Sequence, residues 1–89
     1  MSAAARTVTV RYFAAIREAL GIGSERVATQ AATLGALRDE LIARGGAHAE
    51  ALARGKAVRM ALDQLLVTDE QAALADGAEV AFFPPVTGG

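Results

Sequence analysis

The sequence of 89 residues contains no cysteine. That absence excludes a disulfide framework, a thiolate nucleophile and a thiolate metal site. Histidine occurs once, at His48, and the nearby carboxylates of Asp39 and Glu50 do not complete a ligand set with a recognised metal spacing. No metal site is expected, and His48 reads as a solvated residue beside a helix. Ser24 has no base paired with it by sequence, so no nucleophile and base stand out. Gly21-Ile22-Gly23-Ser24 lacks the glycine spacing and the lysine of a phosphate loop and reads as a turn. Charge of one sign is also missing. Nine basic and ten acidic residues give a net charge of −1, and neither nucleic acid nor an anionic membrane is indicated as a partner. Long apolar runs are absent too: the opening Met1-Ser2-Ala3-Ala4-Ala5-Arg6 reads as neither signal peptide nor membrane span, so a cytoplasmic protein is expected.

What is present suits one small domain. A chain of this length buries about 60–65% of its unfolded surface, too little to enclose a large active site. Of the apolar residues 22 are alanine and only 25 are larger, a core sufficient for one sheet under one main helix.

Taken in order, residues 1–6 read as a loose extension before a β-rich domain spanning 7–83. Residues 6–13 alternate, with Val8, Val10 and Tyr12 on one face and Thr7, Thr9, Arg11 and Phe13 on the other. Residues 14–20 form a short helix that Gly21 ends in a left-handed conformation. Residues 25–29 return as a second strand through Val27. Thr33 caps a helix running to Arg44, with Leu34, Leu37, Leu41 and Ile42 as its apolar stripe, closed by Gly45-Gly46. A further short helix over 47–54 and a turn at Gly55-Lys56 follow. Residues 57–62 alternate again, Asp63-Gln64 makes a tight turn into Leu65-Leu66-Val67, and Asp76-Gly77 turns into the last strand. This is an α+β order. If the first and last strands lie side by side in parallel it is a β-grasp; on pattern alone a split βαβ arrangement fits equally well.

The last eleven residues, Glu79-Val80-Ala81-Phe82-Phe83-Pro84-Pro85-Val86-Thr87-Gly88-Gly89, organise the rest. Val80 and Phe82 share one strand face, Ala81 and Phe83 the other. Proline is scarce, and its only two copies fall together where pairing must stop: Pro84 and Pro85 donate no N–H and hold φ near −65°. Beyond them and Val86 the chain thins: Thr87 is small and Gly88 and Gly89 carry no side chain, a thread suited to a channel too narrow for a Cβ. The tail is thus residues 84–89.

This ending, led in by Leu74-Ala75-Asp76-Gly77, resembles that of the molybdopterin synthase small-subunit family of ubiquitin-like sulfur carriers. Val8-Thr9-Val10-Arg11-Tyr12-Phe13-Ala14 with Ile16-Arg17-Glu18 resembles the family's opening, and Gly55-Lys56 with Asp63-Gln64-Leu65-Leu66-Val67 its middle. The resemblance implies a ubiquitin-like β-grasp, a mixed sheet covered by one main helix. It also implies chemistry at the terminal carboxylate of Gly89, which is resonance-stabilised and inert until activated. An E1-like adenylating enzyme would use ATP to form an acyl-adenylate at Gly89, and a sulfur donor would displace AMP to leave a thiocarboxylate. The tail would then enter a larger partner subunit, within a heterotetramer, where two carriers supply the sulfurs that turn cyclic pyranopterin monophosphate into the dithiolene of molybdopterin. The chain itself would bind no cofactor and be active only with that subunit.

For docking, strand parity singles out Phe13 and Phe83, with Leu66, as an apolar patch formed by neighbouring edge strands; the alternative is that a helix covers that face. The resemblance favours docking. Where the family often has asparagine in the turn this chain has Asp63, which leaves a local cap or a partner contact open. Two other functions share the Gly-Gly end, the sulfur carrier of thiazole synthesis and a ubiquitin-like protein modifier. A plain interaction domain is the third alternative.

Overall fold

A computed structural model of the chain describes residues 5–85. Its elements run β1 (Arg6–Tyr12), α1 (Ala14–Leu20), β2 (Ser24–Thr29), α2 (Leu34–Ala43), α3 (Gly46–Ala51), β3 (Arg59–Leu62), β4 (Leu65–Val67) and β5 (Glu79–Phe83). Arg6, assigned from sequence to the extension, is the first rung of a ladder, opposite Thr29.

The five strands form one sheet in the order β2-β1-β5-β3-β4. β1 and β5 run parallel at its centre, Val10 beside Val80 and Tyr12 beside Phe82, while every other pairing is antiparallel. Parallel first and last strands identify the β-grasp and remove the split βαβ alternative. They also correct the expectation that Phe13 and Phe83 belong to edge strands: the edges are β2 and β4.

One sheet face is dry. Val8, Val10 and Tyr12 from β1 and Val80 and Phe82 from β5 are buried, as alternation requires. α2 is the main cover. Thr33 starts it, its side chain accepting from the Ala36 N–H at 3.2 Å, and Leu34, Leu37 and Leu41 are fully buried against the sheet, each worth about 1.5–3 kcal/mol. Gly21 ends α1 at φ +77, a left-handed conformation suited to a residue without a Cβ.

α2 also carries a residue that its polarity hides. Arg38 is 4% exposed. Its guanidinium donates to the carbonyls of Leu52 and Ala53, both at 2.9 Å, and approaches Glu70 at 3.4 Å, so one side chain ties the main helix to the segment leading into β3.

Candidate functional site

The other sheet face has no helix over it, because all three helices pack on the side of Val10 and Val80. The pairing register defines its rows: Ser24, Arg11, Ala81, Ala61 and Leu66 lie across the five strands. Small alanines at the centre let the flanking aromatics stand proud. Phe13 is 41% and Leu66 63% exposed, and Phe83 is half-buried. Phe13, Ala81, Phe83, Pro84 and Pro85 line a shallow depression of about 730 Å³.

Each wall has a local cause. Phe13 is extended and its N–H donates to the Phe82 carbonyl at 3.2 Å, so it continues the parity of β1 onto the open face. The chain then turns sharply into α1, holding Ala14 at φ +53, a conformation that costs a non-glycine residue about 1–2 kcal/mol. Arg11 reaches across the row, its guanidinium carbon 5.8 Å from the Phe13 ring centroid and its Nη1 3.2 Å from Glu79. At the far end Asp63 and Gln64 are both left-handed, at φ +50 and +72, in the tight turn between β3 and β4. Asp63 Oδ1 accepts from the Glu79 N–H at 3.0 Å. Aspartate thus makes the local cap that its difference from asparagine had left open.

The tail leaves where the ladder fails. Phe83, opposite Arg59, is the last paired residue of β5, and Pro84 and Pro85 follow with no N–H to pair. Both are half-buried: Pro84 shares a hollow with Ala15, Ile16 and Lys56, and Pro85 one with Arg59 and Thr68. Val86, Thr87, Gly88 and Gly89 lie outside the described residues. The structure therefore brings Phe13, Phe83, Pro84 and Pro85 together, with Leu66 on the same face two strands away.

Sequence reasoning missed two groups. Leu65, 72% exposed, has the core-facing parity of its partner Leu62 but sits on the edge strand beyond the helices; its apolar character was visible, the end of the cover was not. His48 is the second, and it is not a freely solvated side chain. Its Nε2 lies 2.9 Å from Glu25 Oε2, and its ring meets Tyr12 edge-on at 6.1 Å. The same carboxylate accepts from the Tyr12 hydroxyl at 2.6 Å and from Arg44 at 2.9 Å. No sequence spacing links these four residues, which come from β1, β2, α3 and the end of α2.

Burial by itself would raise the Glu25 carboxyl, but hydrogen bonds to Tyr12, Arg44 and His48 together outweigh it and hold the group down at about 2. The Tyr12 phenol is pushed above its ordinary value, first by burial and then by Glu25. Because the folded Glu25 value lies below the unfolded one of 4.5, its stabilisation is present above about pH 4.5 and lost as pH falls towards 2. Glu25→Gln should therefore cost about 2–3 kcal/mol at pH 7 and progressively less down to pH 2, read as converging denaturation midpoints of the two proteins. A constant difference across that range would show that the carboxylate charge contributes nothing. The cluster is an anchor for the β1 end that leads into Phe13.

Among the described residues no group of three or more histidine, cysteine or acidic side chains could hold a metal ion, and no helix is long and apolar enough to cross a membrane. The open face and the exit point of the tail meet at Phe83, Pro84 and Pro85.

Comparison with known proteins agrees with that geometry. The molybdopterin synthase sulfur carrier subunit of Escherichia coli K12 is 44% identical over 82 residues, 92% of this chain and 99% of that protein. Among solved structures, SAMP1 from Haloferax volcanii superposes with a TM-score of 0.73 at 29% identity, covering 93% of this chain and 99% of the other. A chain of the complex of subunits 1 and 2 of the molybdopterin-converting factor from Helicobacter pylori does so with a TM-score of 0.64 at 30% identity, covering 93% and 99%. The ThiS family profile matches residues 10–89, from the middle of β1 through the central strand β5 to the final glycine, and the chain belongs to the ThiS family.

Proposed function

We propose that this chain is the sulfur carrier subunit of a molybdopterin synthase and carries sulfur as a thiocarboxylate on Gly89. The observation that carries this reading is the 44% identity over 99% of a protein bearing that name. The open apolar face and the two prolines that end the central strand support it.

In this reading an E1-like enzyme spends ATP on Gly89, with pyrophosphate leaving as the carboxylate oxygen bonds to the α-phosphorus. A sulfur donor then displaces AMP and leaves the thiocarboxylate. Its sulfur attacks cyclic pyranopterin monophosphate inside the large subunit, and a second carrier delivers the second sulfur of the dithiolene. The carrier itself binds no cofactor, and it shares the cytoplasm with the ATP-using activating enzyme. The large subunit docks on Phe13, Leu66 and Phe83, in a heterotetramer of two carriers and two large subunits. The H. pylori complex of subunits 1 and 2 supports a partner of this kind.

A second reading, a ubiquitin-like modifier, is favoured by the likeness to SAMP1, the small archaeal modifier protein 1 of H. volcanii. Intact mass of the cellular protein separates the two: exchange of one oxygen for sulfur marks a carrier, an isopeptide adduct a modifier.

Phe83→Asp tests the docking face. A carboxylate in the middle of an apolar contact is desolvated without a partner, costing about 2–4 kcal/mol and hence about 30- to 1,000-fold in affinity for the large subunit. The circular-dichroism spectrum should stay that of the wild type, since Phe83 points away from the core. Unchanged affinity would remove this face from the interface.

A further inference from the structure

The open face is graded in charge along β5. At the end where β5 begins, Asp63 and Glu79 are neighbours through Asp63 Oδ1, and Asp76 accepts from the Thr7 N–H at 2.7 Å. At the end where the tail leaves, Arg59 lies opposite Phe83 and shares a hollow with Glu70, while Lys56 lies by Pro84 on the side of the helices. Lys56 shares a hollow with Pro84 and Arg59 one with Pro85, so each cation borders one of the two prolines of the departing chain. Both are exposed.

Neither side chain enters an ion pair among the described residues, whereas Arg11, Arg38, Arg44 and Arg54 are each committed to a carboxylate. Glu70, the carboxylate that lines the same hollow as Arg59, is already held by Arg38 and Arg54. Arg17 and Arg26 make no ion pair among the described residues either, but the Arg17 guanidinium lies against Gly23 beside the start of β2, and Arg26 is on the edge strand β2.

We propose that Lys56 and Arg59 form a cationic collar at the exit of the tail that recognises carboxylates at the mouth of the partner's channel. The inference rests on the carrier reading and adds the chemistry of the partner's surface. Six residues follow Phe83, a reach of about 20 Å when extended, so the collar stays at the rim while the terminal carboxyl lies at the far end. It therefore meets the partner's surface, not the phosphate of a substrate bound at the reacting end. Charges at a rim act chiefly on the rate of encounter and on orientation, and a positive collar facing a negative mouth aims the thread before the apolar face closes.

The test is the association rate of the full-length Lys56→Glu/Arg59→Glu protein with the purified large subunit, measured by stopped flow at about 50 mM and 500 mM salt, beside Lys56→Gln/Arg59→Gln. The charge-reversed protein is expected to associate about tenfold or more slowly than the wild type at low salt, with the neutral variant between them and the gap closing at high salt. Dissociation rates should change little. Equal association rates at low salt, or a gap that persists at high salt, would overturn the collar while leaving the carrier reading standing. Slowed adenylation by the activating enzyme with normal binding to the large subunit would overturn it too, because the anion recognised would then belong to the other enzyme. If the wild type fails to bind the large subunit at all, the carrier reading falls and the collar falls with it.

Discussion

Removing Gly89 should reduce pterin product to background while leaving the thermal melt within about 0.5 kcal/mol of the wild type. The shortened chain still ends in a carboxylate, on Gly88, but that group stops about 3.5 Å short. A misplacement of about 1 Å at a reacting centre already costs about a hundredfold, so a retained carboxylate does not rescue the reaction. The fold is indifferent because the last ladder rung is Phe83 opposite Arg59 and two prolines separate it from the terminus. Gly88→Val asks the narrower question. It keeps the length and the terminal carboxyl and adds a branched side chain, so a loss of about a hundredfold or more would assign the failure to channel width. The measurement is product formed by each purified, thiocarboxylated variant with the large subunit. Near-normal turnover by either one would remove the tail from the mechanism.

The largest loss of stability is expected away from the site, at Arg38→Met. Methionine nearly refills the volume but leaves the carbonyls of Leu52 and Ala53 without the donors they have at 2.9 Å. It also removes a cation facing Glu70. An unmet buried polar group costs about 1–3 kcal/mol and a broken buried ion pair about 3–5 kcal/mol, so a loss of about 3–5 kcal/mol is expected. In a domain of this size that lowers the melting temperature by about 12 °C or more, at about 4–8 °C per kcal/mol. The guanidinium is drawn below its ordinary value by burial first and the neighbouring Arg54 charge second, which is why the carbonyls and Glu70 are needed to hold it. Arg54→Met gives the contrast. Its side chain is 43% exposed although it contacts Asp39 and Glu70, and its loss should stay below about 1 kcal/mol. Equal losses at the two positions would show that burial of Arg38 is not what matters.

These two positions also mark what a sequence can and cannot disclose. The buried faces of β1 and β5 were legible because a strand repeats every two residues, so Val8, Val10, Tyr12, Val80 and Phe82 announce a common side. Gly21 and Thr33 were legible because a left-handed stop and a helix cap each demand particular chemistry from one residue. Arg38 was not, since its partners lie 14 and 15 residues away in an irregular segment and a buried arginine reads as a solvated one. The meeting of Tyr12, Glu25, His48 and Arg44 was hidden for the same reason. Strand order was hidden too: parity places Phe13 and Phe83 on a common face but says nothing of which strands are edges.

The position of β5 between β1 and β3 bears on how the protein is made. A sheet whose central strand follows the other four in the chain cannot close until that strand has left the ribosome, and its key pairing, Val10 with Val80, joins the first strand to the last. Non-local closure of this kind slows folding. It also couples folding to completion, because a nascent or truncated chain lacking β5 exposes the apolar faces of β1 and β3 and is open to proteolysis, whereas a chain that has folded has already placed the strand that aims its reactive end.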